Sequence, residues 1–318
     1  MMHKIFIDGQ VGTTGLQIHQ RLQHRTDICL LNIADEDRKN REAKRQTMEE
    51  ADLVILCLPD EAAIESVEIA SSTKTRFIDA STAHRTNDAW VYGLPEMNDQ
   101  QRSRIKSAQN VSNPGCYATG FLLPIIPLIE QEWLKPSTLI SCSALSGFSG
   151  GGRKLIETYE RQAGDNPADL WHSRPYSLGL THKHIPEMQH YANLDTAPLF
   201  LPSVGHFAQG MLVSTGLFRE SFNRPVDPGQ VVELLMSAYG DELCISVYGP
   251  NDESQLQDGY LDPQANNGTN RVDIFVSGHE QQILLISRLD NLGKGASGAA
   301  IQNLNLMLGR PELEGLSH

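Results

Sequence analysis

The chain has 318 residues, enough for about two domains that each bury a core, and its 40% hydrophobic and 20% charged content is that of a globular enzyme. A net charge of −13, from 39 acidic against 26 basic side chains, excludes nucleic acid and anionic membrane surfaces as expected partners, because both would repel it. Five cysteines with no C-x-x-C pair exclude a zinc knuckle and a disulfide framework and fit a reducing cytoplasm.

In chain order, Lys4–Asp8 is a short apolar strand that begins almost at once, which leaves no room for a signal peptide. Thr13–His24 carries Leu16, Ile18 and Leu22 at helical spacing, and Ile28–Ile33 is a second apolar run. Arg38–Ala51 is charged and helix-prone, Leu53–Leu58 is a third strand, Ala62–Ala70 is helical, and Arg76–Ala80 is a fourth strand. Short apolar strands separated by helices predict a buried parallel sheet, so the first part reads as a doubly wound α/β domain. After a helix near Ala118–Trp133 the character changes to strand-like runs at Thr138–Leu145, Met211–Phe218, Leu243–Tyr248, Arg271–Val276 and Gln281–Arg288, with a helix at Gln230–Tyr239. That pattern predicts a mixed α+β sheet, and Ala296–Leu308 reads as one more helix. No apolar stretch is long enough for a membrane span.

Three segments carry chemistry. Gly9-Gln10-Val11-Gly12-Thr13-Thr14-Gly15 lies between the first strand and the first helix. Glycines there let a phosphate approach the backbone, and the helix start then holds a pyrophosphate, so the turn reads as dinucleotide binding although its spacing departs by one residue from G-x-G-x-x-G. The second strand ends in Asp35-Glu36-Asp37-Arg38-Lys39, where an acid favours NAD and a base accepts the extra phosphate of NADP; composition leaves that choice open. In Ser112-Asn113-Pro114-Gly115-Cys116-Tyr117-Ala118-Thr119 a cysteine follows a Pro-Gly turn at a helix start, where unpaired N–H groups and the helix dipole favour a thiolate. Thr181-His182-Lys183-His184-Ile185-Pro186-Glu187, read as extended, turns two histidines to one side. No third ligand suits a metal, so a base beside the cysteine is the preferred reading, with Glu187 either orienting an imidazole or facing water.

These segments, together with Cys57-Leu58-Pro59-Asp60-Glu61-Ala62, Ile78-Asp79-Ala80-Ser81-Thr82-Ala83-His84-Arg85, Tyr92-Gly93-Leu94-Pro95-Glu96, Ser146-Gly147-Phe148-Ser149-Gly150-Gly151-Gly152-Arg153-Lys154 and Asp290-Asn291-Leu292-Gly293-Lys294-Gly295-Ala296-Ser297-Gly298, resemble the N-acetyl-gamma-glutamyl-phosphate reductase family in its shorter form, over nearly the whole chain. The resemblance implies the fold of the aspartate-semialdehyde and glyceraldehyde-phosphate dehydrogenases: a Rossmann-type NADP-binding domain over residues 1–115 with 291–318, and a mixed α+β catalytic and oligomerisation domain over 116–290. It implies Cys116 as nucleophile and His182 as general base, with His184 and Glu187 around the substrate. It places Gly9, Gly12, Thr13, Thr14, Gly15, Pro59, Ser146, Gly147, Asn291 and Leu292 along the cofactor, with Arg38 and Lys39 as the candidates for the extra phosphate. It implies a homo-oligomer, dimer or tetramer, in the cytoplasm.

The expected substrate is a small acyl phosphate of arginine biosynthesis, reduced through a cysteine thioester. Asn113 is the side-chain candidate for an oxyanion donor, and Arg85 and Arg153 are candidates for gripping the substrate's carboxylate and phosphate, since a guanidinium holds either in two places. Rival readings are a sister reductase of aspartyl phosphate or of a carrier-bound amino-adipyl or glutamyl phosphate, a non-catalytic nucleotide-binding regulator, and a cysteine hydrolase, for which the glycine turn would have no use.

Overall fold

The computed structural model describes residues 2–38, 40–70, 74–162 and 171–318. They divide into two units, Met1–Pro114 with Ala296–Leu316, and Gly115–Gly295 with Ser317–His318. Lys39 lies outside the described residues.

The first unit is a parallel sheet wound on both faces. Its elements are β1 His3–Asp8, α1 Thr13–Leu22, β2 Ile28–Leu31, α2 Arg41–Glu50, β3 Leu53–Leu56, α3 Asp60–Ile69, β4 Arg76–Asp79, β5 Val91–Tyr92, α4 Gln101–Ser107 and β6 Asn110–Ser112, followed much later by the C-terminal helix Gly298–Met307. The strand order is β2-β1-β3-β4-β6-β5, and every neighbouring pair is parallel. Alternation along the strands feeds two cores. Ile5, Ile7, Leu53 and Ile55 face Ile18, Leu22, Ile105, Ile301 and Leu304, whereas Phe6, Val54 and Leu56 face Met48 and Ala63. The charged stretch read as one helix from Arg38 begins instead at Arg41. Asp35–Asp37 forms a short turn of 3-10 helix, and the Asn40 side chain caps α2 by accepting from the Glu42 and Ala43 N–H groups.

The second unit is built on a mixed seven-stranded sheet. It comprises α5 Cys116–Glu130, β7 Ser141–Gly147, α6 Gly152–Gln162, β8 Arg174–Pro175, α7 Ile185–Tyr191, β9 Leu199–Gly205, β10 Met211–Phe218, α8 Pro228–Tyr239, β11 Ile245–Val247, the small pair β12 Leu256–Gln257 and β13 Tyr260–Leu261, β14 Val272–His279 and β15 Gln282–Leu289. The large sheet runs β11-β14-β15-β10-β7-β9-β8. Helices α5 and α8 cover one face. The other exposes a row across four strands, Leu199, Ser141, Gly216 and Leu284, in register, with Phe218 beside it.

Helix α5 is almost wholly buried and holds Pro124 and Pro127 in its interior. A helical proline removes the bond to the carbonyl four residues earlier. The Leu123 carbonyl, freed in this way by Pro127, accepts instead from the Tyr239 hydroxyl of α8 at 2.7 Å. No helix of the described residues is long and apolar enough to cross a membrane.

Candidate functional site

In the first unit the glycine turn has the form the sequence predicts. Gly9 has φ +93°, and a Cβ on it would run into the Cys57 carbonyl; a Cβ on Gly15 would run into the Gly9 carbonyl. Both positions therefore demand glycine. Gly12 is the N-cap of α1, with no side-chain cap and no acid in the first turn, and Thr13 and Thr14 are its first residues. A helix start left uncapped and free of negative charge fits a pyrophosphate. By contrast α3, whose N-cap is Pro59, opens with Asp60 and Glu61. The Asp60 carboxylate accepts from the Thr82 N–H at 2.8 Å and from its hydroxyl, which joins the Pro59 loop to the segment 81–85.

In that segment Asp79 is fully buried. One of its oxygens lies 2.6 Å from His84 Nδ1, and the His84 ring stacks on Trp90 at 4.1 Å. Arg85 is also buried: its Nε donates to the Asn113 carbonyl at 2.9 Å and its Nη2 to the Ala80 carbonyl at 3.3 Å. Asn113 donates its side-chain amide to the Ala296 carbonyl at 2.9 Å and accepts from Asn303 at 3.2 Å. The observed bonds of Arg85 and Asn113 thus hold the ends of β4 and β6 and the entry to the C-terminal helix.

The second unit gathers Cys116 and both histidines. Gly115 is the N-cap of α5 and Cys116 its first residue, half-buried. The first N–H groups of a helix have no partner within it, so the sulfur stands at the helix start that the sequence predicts. Cys142, inside β7, has its thiol pushed up to about 12 by burial. Cys57 is pushed up to about 12 as well, by burial first and then by Asp79 and Asp8.

Tyr117, the residue after Cys116, lies against both histidines. The Tyr117 ring lies 5.5 Å from the His182 ring and 5.6 Å from the His184 ring. Burial holds the Tyr117 phenol well above its ordinary range, and the charges of Tyr176 and Cys116 add to this. The Tyr176 hydroxyl sits 3.3 Å from that of Tyr117 and 3.2 Å from His182 Nε2, and burial pushes it up to about 12. His182 Nδ1 accepts from the His184 backbone N–H at 3.2 Å. An accepting Nδ1 places the neutral ring's proton on Nε2, beside the Tyr176 oxygen.

The segment 181–184 is not extended, as the sequence reading had it. It turns into α7, with His184 as N-cap at φ −87° and ψ −10°, and the two rings meet edge to face at 4.8 Å. Pro186, in the first turn of the helix, favours this start. Neither histidine is at the surface, and Glu187 does not face water: it is 1% exposed, and its Oε1 accepts the Gly115 N–H at 2.7 Å.

Around the glycine-rich loop after β7, Ser146 is buried, and a Cβ on Gly147 would strike the backbone at Ala208. The Asn291 amide donates to Ser149 Oγ at 2.9 Å and its carbonyl oxygen accepts from Gly210 N–H at 2.8 Å. The following Leu292 N–H donates to Asp290 at 2.9 Å. Asn291 thus braces the loop that the resemblance assigns to the cofactor. Arg153, at the start of α6, is 80% exposed and pairs with Glu157 at 3.2 Å. Sequence reasoning missed Tyr176 and Gly295, whose signals are weak: a lone tyrosine in a loop, and a glycine whose added Cβ would come within 2.6 Å of the Cys116 Cβ. Among the described residues no cluster suited to a metal ion occurs.

A doubly wound parallel unit with a glycine turn, and a mixed-sheet unit with a cysteine at a helix start beside two histidines, define a protein of the semialdehyde dehydrogenase class. Residues 4–107 match the family model of the semialdehyde dehydrogenase NAD binding domain, and 116–291 that of the semialdehyde dehydrogenase dimerisation domain. Aspartate semialdehyde dehydrogenase II from Vibrio cholerae aligns with a TM-score of 0.74 at 16% identity, over 97% of this chain and 99% of that one. The Francisella tularensis aspartate semialdehyde dehydrogenase gives 0.74 at 14%, over 96% and 100%. N-acetyl-gamma-glutamyl-phosphate reductase 2 of Nostoc sp. is 48% identical over 98% of this chain and 99% of its own, and the corresponding protein of Pseudomonas putida is 41% identical over 98% of both. The chain belongs to the N-acetyl-gamma-glutamyl-phosphate reductase family.

Proposed function

We propose that the chain reduces N-acetyl-glutamyl 5-phosphate to N-acetyl-glutamate 5-semialdehyde and phosphate with NADPH, a step of arginine biosynthesis. The observation that carries this reading is Cys116 at the first position of α5, half-buried, with Tyr117 packed on both histidine rings. The Cys116 thiolate attacks the acyl carbon, and the bond from that carbon to the phosphate oxygen breaks, leaving a thioester. The cofactor, held at the Gly9–Gly15 turn, would supply the hydride that brings this carbon to the aldehyde level. His182, with its proton on Nε2, protonates the tetrahedral oxygen, and collapse releases the aldehyde and the thiol.

The turn Gly9–Gly15 would hold the pyrophosphate, and Arg38 is our candidate for the extra phosphate that distinguishes NADP. We assign Arg85 and Arg153 to the substrate's anionic groups, Arg85 by its burial near Asn113 and Arg153 by its place at the start of α6. The exposed sheet face with Leu199, Leu201, Phe218 and Leu284 supports self-association through the unit that matches the dimerisation domain. The five free cysteines suit a reducing cytoplasm.

The test follows nicotinamide absorbance in the reverse direction with N-acetyl-glutamate semialdehyde, phosphate and NADP, omitting each in turn. The expected result is a rise only with all three present. Equal rates without phosphate, or a preference for aspartate semialdehyde, would overturn the assignment, and a preference for NAD would overturn the cofactor alone.

A further inference from the structure

Glu187 is the third residue of α7 after its N-cap, His184. A glutamate at this position ordinarily folds back onto its own N-cap N–H. Here the His184 N–H is taken by His182 Nδ1, and the Glu187 carboxylate reaches instead to the Gly115 N–H, 72 residues away in sequence. Gly115 is the N-cap of the helix that begins with Cys116. One buried side chain thus ties the turn bearing the nucleophile to the turn bearing both histidines.

Electrostatics decides what this tie is for. A carboxylate one residue from Cys116 disfavours a thiolate, so it does not activate the sulfur by its charge. Burying a carboxylate is costly and persists only with good partners. What remains is geometry: Gly115 N–H is a single, directional donor, and fixing it fixes where α5 starts. We infer that Glu187 is a positioning residue that sets the Cys116 turn against the His182–His184 turn, and not a ligand of the substrate. The inference rests on the proposed function, since it gives Cys116 and His182 joint work.

The experiment compares Glu187→Gln, which keeps an acceptor at the same reach, with Glu187→Ala, which removes it, and Glu187→Asp, which keeps the charge but falls short. Each is measured for kcat and KM toward the semialdehyde, for NADP binding, for thermal midpoint and for alkylation of Cys116 by iodoacetamide. The expected result is a kcat for Gln within about three-fold of wild type, and losses of about ten-fold or more for Ala and Asp with KM changed less than about three-fold. Cys116 alkylation should slow by about three-fold or more in the Ala and Asp variants, with NADP binding unchanged. If the Ala variant fails to fold, the contrast between Gln and Asp carries the test. A raised KM with kcat kept would make Glu187 a substrate ligand, and a Gln variant as damaged as Ala would make its charge the active feature; either overturns the inference, as does an Ala variant equal to wild type. A wild type without phosphate-dependent turnover removes the functional reading only, and alkylation still judges the tie.

Discussion

At the scale of single residues, the cysteine was legible and most of its surroundings were not. A Pro-Gly turn before an apolar run signals a helix start, and Cys116 stands at the first position of that helix. The partners of Glu187, Asn113 and Arg85 were hidden because they depend on which distant backbone groups come near, which no local spacing encodes. Arg85 is the clearest case: its type suggested an anion grip, and local spacing gave no sign that its Nε and Nη2 donate to the Asn113 and Ala80 carbonyls. Tyr176 was invisible because its partner Tyr117 lies 59 residues away in sequence and its contact with the nearby His182 depends on the turn that leads into α7. The residue-scale prediction concerns the sulfur. Cys116→Ser should lower phosphate-dependent turnover by about a thousand-fold or more, with NADP affinity within about three-fold, because a hydroxyl is not ionised at neutral pH. Stopped-flow turnover and nicotinamide fluorescence measure the two, and a variant retaining a tenth of the rate would exclude a thioester.

At the scale of elements, the first four strands of the parallel unit could be read one by one, because buried parallel strands are continuous apolar runs bounded by turns, whereas the three-residue β6 Asn110–Ser112 could not. The missed elements were short or half-polar. Val91–Tyr92 and Arg174–Pro175 are two-residue strands, and Leu199–Gly205 carries a proline that argues against a strand. Helix α7 hid behind the alternating polarity of Thr181–Glu187, which mimics an extended segment. The turn Gly293–Ser297 supplies an element-scale prediction. Gly295 packs its backbone against Cys116, leaving 2.6 Å for an added Cβ. Gly295→Ala should therefore displace the start of α5 and cut kcat by about ten-fold or more, with NADP binding unchanged. Steady-state kinetics beside a cofactor titration checks this, and unaltered kcat would show that the close approach has no catalytic consequence.

At the scale of the whole molecule, two predictions concern what holds it together. Phe218 is 59% exposed on a sheet face that also shows Leu199, Leu201 and Leu284. Phe218→Asp should shift sedimentation toward the monomer, because a charge on an apolar face must be desolvated on pairing. An unchanged sedimentation coefficient would move the interface elsewhere. Within the first unit, Arg25 bonds Asp27 at 2.7 Å and reaches Asn305 of the C-terminal helix at 2.5 Å. The hydrogen bond from Arg25, the largest influence, holds the Asp27 carboxyl below its usual 3.8. A carboxyl lowered on folding contributes stability above its unfolded value and loses it as pH falls through the folded one. Arg25→Ala should thus be less stable than wild type near neutrality, by about 1–2 kcal/mol, and the gap should narrow below pH 3.8, as urea unfolding at several pH values would show. A gap independent of pH would assign the stabilisation to Asn305 instead.

The prolines inside α5 reach further than its local bonding. A stretch interrupted at Pro124 and Pro127, and relying on the Tyr239 hydroxyl to satisfy a freed carbonyl, is a poor autonomous helix. Tyr239 follows Cys116 by more than a hundred positions, so a nascent polypeptide exposes the sulfur long before its bracing tyrosine has been synthesised. Until then Cys116 is an ordinary thiol, mostly protonated at neutral pH. On the proposed function its reactivity arises only on completion of the fold, which would spare unfinished chains from indiscriminate alkylation and oxidation.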